Sequence, residues 1–548
     1  MVETAAGNTR KTFLSGVLLL SLSTVLVKLI GLIYKIPMLS YLGSEGMGYF
    51  NSAYEIYALF CVIATAGLPV ALSVLISGAI AKGEYAQVGR IYRTARSVFL
   101  LIGFLGSLIM LIFARRFCAL IRSENAYYCM LSIAPTVFFV CLSSALRGYF
   151  QGHQRMMPTA VSQIIESVGK LVFGLLLARF ALRRGYDSAT VAAFAGIGLT
   201  VGTAAATLYL MILKLRMSSK PTERAGTARI SAMTDAHTVR RELARLAFPV
   251  TVGASLVSLT KLIDMAMILR RLQSIGYTSV QANEAYGSYT TLALSVYGLL
   301  PSLINAVALP LVPMLSAAIA SGNRAKQEEM IHACYRLTAI FAVPAALGVS
   351  VYAYPVLSLL FSKEPGAVAV AAPLLSCLGI SVFLSCMITA TNSVLHAYRA
   401  VNRPILSMLV GAVLKIVSAY FLIGIPSVAL LGAPISTLLC NAAVVMINLW
   451  FSMRLCRVDS LMPIFWKPLG ASVLSIGFSY LLYLSAAHRF GASATLTMLA
   501  LLLAVLLYLL FSCLLGVVCK EDVLALPMGE RLYVILKKMR LLPLSKDV

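Results

Sequence analysis

Charge is scarce in this chain, and negative charge scarcer still. Of 548 residues only 12 % are charged, 20 acidic against 45 Lys or Arg, and Trp (2) and His (5) are rare. A soluble domain carries about 25 % charged residues, so a soluble enzyme is excluded. A disordered chain is excluded too, because 60 % of the residues are hydrophobic and the mean hydropathy is +0.90. The 11 cysteines (Cys61, Cys118, Cys129, Cys141, Cys334, Cys377, Cys386, Cys440, Cys456, Cys513, Cys519) are odd in number and form no C-x-x-C pair. They read as small apolar packing residues, not as a disulfide framework or metal site. His153, His237, His332, His396 and His488 lie in or beside loops, and no H-E-x-x-H, G-x-S-x-G or Walker loop occurs. No outer loop is large enough to carry catalytic acids. The expectation is therefore a non-enzyme without cofactor or metal, driven by the membrane potential or by a gradient of H⁺ or Na⁺.

What is present is apolar length. A membrane span needs roughly 20 mostly apolar residues. The charged and Gly/Pro-rich breaks divide the chain into fourteen such runs, at 12–38, 50–80, 96–115, 126–147, 157–180, 188–213, 244–269, 285–318, 335–360, 367–396, 404–424, 429–453, 465–487 and 495–518. No charge occurs between Lys415 and Arg454, and Gly424-Ile425-Pro426 with Gly432-Ala433-Pro434 supply the turn there. The first run follows Arg10-Lys11 and passes Lys28 without a small-x-small cleavage site, so it reads as a retained span.

An even number of spans puts both termini on one side. With the termini inside, the cytoplasmic segments hold 30 of the 45 Lys and Arg residues, the outer connections 10 and the spans five. Cations accumulate in cytoplasmic loops, which selects this orientation. The net charge of +25 thus faces anionic lipid and not nucleic acid. Residues 215–243 read as a cytoplasmic linker. After Cys519, Leu532, Val534, Ile535 and Met539 beside Lys537, Lys538 and Arg540 suit either an amphipathic helix on the inner leaflet or a solvated tail.

The two halves repeat. Lys28-Leu29-Ile30 matches Lys261-Leu262-Ile263, and Ala53-Tyr54-x-x-Tyr57 matches Ala285-Tyr286-x-x-Tyr289. Leu68-Pro69, Ala79-Ile80-Ala81-x-Gly83 and Tyr92-Arg93 return as Leu309-Pro310, Ala318-Ile319-Ala320-x-Gly322 and Tyr335-Arg336. Ser144-x-Leu146-x-x-Tyr149, Pro158 and Lys170 return as Ser393-x-Leu395-x-x-Tyr398, Pro404 and Lys415, with offsets drifting only from 232 to 249. Each match is short, but their shared order marks a duplication. The expected fold is all-α: about fourteen transmembrane helices in two pseudo-symmetric six-helix bundles, 1–214 and 244–458. An extra helix pair at 459–518 and a cytoplasmic tail at 519–548 follow.

Ionisable groups inside spans cost about 2.5–3.5 kcal/mol each and commonly face a wet cavity. Here they are Lys28, Lys35, Glu55, Glu166, Lys170, Lys261, Asp264 and Lys415. Lys170 and Lys415 fall about 18 Å inside the cytoplasmic ends of their helices, near mid-membrane. Lys35 and Glu55 fall at the outer boundary, where snorkelling accounts for them. Glu166 and Lys170 are spaced i,i+4 and Lys261 and Asp264 i,i+3, so each pair is able to neutralise itself. Five lysines against three acids suit a polyanionic cargo better than a cationic drug. A Lys ammonium is a compact charge that captures and releases phosphate without the bidentate grip of Arg. The expected diphosphate-binding residues are Lys28, Lys170, Lys261 and Lys415, with Glu166 and Asp264 tuning charge or carrying a coupling ion. Tyr54, Tyr57, Tyr286 and Tyr289 suit sugar stacking, but near span ends the interface-belt position is the preferred expectation.

Several motifs carry a resemblance. Lys28-Leu-Ile-Gly-Leu-Ile-Tyr-Lys-Ile-Pro37, Leu42-Gly43-x-x-Gly46, Thr65-Ala-Gly-Leu-Pro-Val-Ala-Leu-Ser73 and Leu146-Arg-Gly-Tyr-Phe-Gln-Gly152 run in order along the chain. Together they resemble the stage V sporulation protein B branch of the polysaccharide transporters, within the multidrug/oligosaccharidyl-lipid/polysaccharide (MOP) exporter superfamily that includes MurJ-type flippases. The resemblance implies a MATE/MurJ-like V of two bundles, alternating access, and export of an undecaprenyl-diphosphate-linked saccharide across the bacterial inner membrane. The last two spans would line a groove for the lipid tail, and envelope-synthesis proteins are candidate partners. Lys28 falls where the MurJ-type pattern has a cavity arginine. Thr291 and Ala64-Thr65-Ala66 are neutral where that pattern is charged, so the lipid-linked class is implied rather than lipid II itself. The alternative is a cation-coupled multidrug exporter of the same superfamily.

Overall fold

Within a bilayer, backbone N–H and C=O groups find no water and must bond within their own segment, which favours helices. The computed structural model is helical throughout, with no β-strand among the described residues. Those are 2–218, 235–308, 315–316, 318–319, 324–398, 400, 402–456 and 462–517. Most of the expected linker at 215–243, all of the expected tail at 519–548, and Leu309-Pro310, Ala320 and Gly322 of the repeat lie outside them.

The chain packs into two units, 1–291 and 292–548. The first holds α1 (Val2–Thr65), α2 (Gly67–Ala81), α3 (Tyr85–Ile112), α4 (Ala114–Ile121), α5 (Tyr127–Gly152), α6 (Met157–Arg183), α7 (Ser188–Ser218), α8 (Ala236–Ser274) and α9 (Ser279–Ser288). α1 is two helices joined at Gly43, whose φ of 67° and ψ of 174° form a kink that glycine alone adopts without strain. The loop expected near 39–49 is thereby reduced to one residue. Small residues let helices approach where apolar surface gives no association force in lipid. A methyl on Gly202 would strike the backbone of Gly169 and Lys170, so α6 and α7 touch there. Gly48 meets the backbone of Asn283, Gly287 meets Ser44, and Gly67 meets Ala247. These contacts hold α9 on α1 and α8 on α2. They explain why α8 and α9, beyond the expected bundle boundary, pack within the first unit.

The second unit holds α10 (Leu294–Ala308), α11 (Arg324–Val351), α12 (Ala353–Leu360), α13 (Pro365–Ala397), α14 (Asn402–Ile423), α15 (Gly432–Cys456), α16 (Met462–Phe490) and α17 (Ala494–Leu514). The pair outside the repeat, α16 and α17, is fixed by buried hydroxyls. Tyr352 meets Ser479 at 2.8 Å, and Tyr508 donates to the Ile340 carbonyl at 2.6 Å.

Eleven helical stretches among the described residues are long and apolar enough to cross a membrane, against the fourteen crossings expected. One of them, Ser23–Ala81, is 59 residues long and takes in the expected span 50–80 and the larger part of 12–38. α6, with its four intrinsic charges Glu166, Lys170, Arg179 and Arg183, is not among the eleven.

Candidate functional site

Seven of the eight intramembrane ionisable residues fall in the first unit: Lys28, Lys35 and Glu55 on α1, Glu166 and Lys170 on α6, Lys261 and Asp264 on α8. Lys415, on α14, belongs to the second.

The kink at Gly43 turns α1 back on itself, so that the rings of Tyr34 and Phe50 come within 6.5 Å. Phe50 in turn stacks on Tyr54, one turn further, at 6.3 Å and 16°. The Lys170 ammonium lies over all three faces, 5.0 Å from the Tyr34 centroid, 5.7 Å from Phe50 and 4.9 Å from Tyr54. Aromatic faces carry negative quadrupole density and attract a cation most strongly where water is scarce. Tyr54 is thus not an interface-belt residue. Tyr57, Tyr286 and Tyr289, 5 %, 3 % and 1 % exposed, are not either. They pack inside the unit.

Glu166 bonds to Arg147, while it remains within electrostatic reach of Lys170. Its Oε2 accepts from Arg147 Nη2 at 2.8 Å, while Arg147 Nε donates to Ser162 Oγ at 2.9 Å. Thr203 Oγ1 stands 3.5 Å from the other carboxylate oxygen. This tie joins α5, α6 and α7. Sequence reasoning leaves Arg147 at the last position of the run 126–147 and outside the set of intramembrane ionisable groups, although it lies well within α5 and inside one of the resemblance motifs. A helical i,i+4 pair competes with any cation that another helix brings closer, and here the bidentate-capable guanidinium prevails.

Lys35 does not snorkel to the boundary. Its Nζ donates to the Thr290 carbonyl at 3.2 Å, in a π turn at Tyr289–Ala293 where the regular i→i−4 ladder is interrupted. Asn51 Nδ2 donates to the hydroxyls of Thr290 at 2.8 Å and Thr291 at 2.9 Å. Lys35 is also near enough to Lys170 and Glu55 to interact with their charges. Lys28 and Lys261, both exposed, stand close enough to repel one another. Tyr286 is within electrostatic reach of Glu55 and Asp264. In the second unit Lys415 neighbours Tyr297, whose hydroxyl accepts from Asn441 Nδ2 at 3.2 Å.

A bundle of apolar helices with a cluster of cations at membrane depth defines a polytopic membrane transporter rather than an anchored soluble protein. Residues 13–319 match the family described as polysaccharide biosynthesis protein, and the chain belongs to that family. It is 25 % identical over 420 residues to the lipid II flippase MurJ of Bacillus subtilis (strain 168), covering 74 % of this chain and 76 % of the relative. It is 24 % identical over 430 residues to stage V sporulation protein B of the same organism, covering 78 % and 81 %. Among solved structures, the lipid II flippase MurJ in an inward closed conformation aligns with a TM-score of 0.66 at 15 % identity, over 91 % of this chain and 98 % of that one. An inward-facing multidrug resistance MATE family transporter of the MOP superfamily aligns at 0.64 and 14 % identity, over 79 % and 95 %. The chain shares the fold of these two transporters.

Proposed function

We propose that this chain is a flippase for an undecaprenyl-diphosphate-linked saccharide, a peptidoglycan precursor or related polysaccharide unit, in a bacterial plasma membrane with both termini cytoplasmic. Lys28, Lys170, Lys261 and Lys415 hold the diphosphate in this scheme. Asp264 tunes the local charge or carries the coupling ion, and Glu166 acts on the site through Arg147. The observation that carries the proposal is the charge within the expected spans of the first unit: five cations, Lys28, Lys35, Arg147, Lys170 and Lys261, against three acids, Glu55, Glu166 and Asp264, with one acid bonded to Arg147. A diphosphate supplies the missing negative charge, and a lysine that stands on aromatic rings is able to take it up and let it go. One named relative, the lipid II flippase MurJ, supports a lipid-linked cargo by its printed activity. Transport is driven by the membrane potential or by an ion gradient, and no bond of the cargo is made or broken.

The likeness to MATE transporters favours a second scheme, cation-coupled export of drugs. An excess of cations at membrane depth opposes it, because such drugs are commonly cationic. Transbilayer movement of a labelled undecaprenyl-diphosphate saccharide in proteoliposomes separates the two. Movement by the wild type that Lys28→Ala and Lys415→Ala abolish is expected. Absence of movement, with drug export under an ion gradient, would replace the flippase with the drug exporter.

A further inference from the structure

Lys170 meets three unusual conditions together. The acid one turn before it on the same helix is bonded to Arg147 at 2.8 Å while staying within electrostatic reach of Lys170. Its ammonium is held by the faces of Tyr34, Phe50 and Tyr54, all within 6 Å. Its side chain as a whole is only partly buried. Tyr34 is wedged in place: it is 2 % exposed, and a methyl on Gly174 would lie 3.0 Å from its hydroxyl oxygen. Among the described residues that hydroxyl has no hydrogen-bond partner, and the ring packs there against Gly174 and the cation.

We infer that Tyr34, Phe50 and Tyr54 are positioning residues, an aromatic cage that holds the Lys170 ammonium ready for a phosphate while Arg147 keeps Glu166 from quenching it. The inference deepens the flippase scheme and rests on it for the identity of the cargo, but its chemistry, an anion meeting a caged ammonium, stands by itself. A carboxylate partner would have to be displaced before a phosphate could bind. A π face need not be, because the rings attract the cation from one side and the anion approaches from the other.

The test uses the purified full chain in detergent, with inorganic pyrophosphate as the probe, titrated calorimetrically. Loss of a charge-assisted contact in Lys170→Ala is expected to weaken binding about tenfold or more. The Phe50→Leu, Tyr54→Leu double variant is expected to weaken it comparably. Combined with Lys170→Ala, it should add less than about twofold, because groups acting through one ammonium are not additive. Wild-type affinity in the leucine double variant, or losses that multiply, would overturn the cage. Phe50→Tyr with Tyr54→Phe keeps every π face and should bind as the wild type does; weakened binding there would overturn it even if the leucine variants fail to fold. Transport of the saccharide lipid by the same wild-type sample separates the cage from the cargo. Pyrophosphate binding without movement removes the flippase scheme and leaves the cage. Movement without Lys170-dependent pyrophosphate binding removes the cage and leaves the flippase.

Discussion

The two units tie three helices together at equivalent places with different chemistry. In the first, Arg147, Ser162, Glu166 and Thr203 join α5, α6 and α7 through an ion pair. In the second, Asn448 donates to Asn392 at 2.8 Å and Thr391 at 3.2 Å and accepts from Ser407 at 2.6 Å, joining α13, α14 and α15 with neutral groups. Ser162 and Ser407 each donate to the carbonyl three residues earlier, at 2.8 and 2.9 Å, as copies of one position would. Where Glu166 stands one turn before Lys170, Gly411 stands one turn before Lys415. The neutral tie holds helices together well enough, so helix packing alone does not require the ion pair. What the charged version adds is a carboxylate beside Lys170 that is bound to something else.

The comparison breaks most readily at the ion pair. Glu166→Leu leaves Arg147 without its counter-charge and should cost about 3–5 kcal/mol, whereas Asn448→Leu in the neutral tie should cost about 1–3 kcal/mol. Thermal unfolding in detergent gives the order, and a smaller loss for Glu166→Leu would erase the distinction. Arg147→Leu with Glu166→Leu should recover most of the stability, because replacing a whole buried pair costs less than stranding half of it.

Glycine sharpens the contrast at a smaller scale. A methyl on Gly202 meets backbone atoms, the Lys170 nitrogen at 2.6 Å and the Glu166 oxygen at 2.8 Å. On Gly411 the two nearest atoms belong to side chains, those of Val444 and Cys440, and not to backbone. Gly202→Ala is therefore expected to destabilise by about 1–3 kcal/mol and Gly411→Ala by less, read by the same melting experiment. Equal shifts would mean that the α6–α7 crossing is not the tighter one. The smallest effect belongs to the hydrogen-bonded amides. Asn51→Leu removes two bonds to the π turn and Asn441→Leu one to Tyr297, so the first should lower stability more, each bond contributing about 1 kcal/mol.

Much of this was legible before any coordinates. Apolar run length marked the helices, because a bilayer imposes both length and hydrogen-bonding on a spanning segment. The cations at membrane depth were visible for the same reason. Partners were not. Arg147 and Glu166 are 19 residues apart on different helices, and sequence spacing speaks only for neighbours on one helix. The cage was hidden by the turn at Gly43, which brings Tyr34 to Phe50 only after the chain reverses. Tyr54 was set aside because tyrosines near span ends usually sit at the interface. Its place beside a lysine depends on α6, which no local pattern on α1 reports.

The central claim is that the Lys170 ammonium, held over the rings of Tyr34, Phe50 and Tyr54, takes the cargo's phosphate. Movement of a labelled undecaprenyl-diphosphate saccharide in proteoliposomes by wild type, Lys170→Ala and Lys170→Arg tests it most directly. The account predicts movement by the wild type, a fall of about tenfold or more in Lys170→Ala, and substantial retention in Lys170→Arg, whose charge also stacks on aromatic faces. Wild-type movement by Lys170→Ala would contradict it.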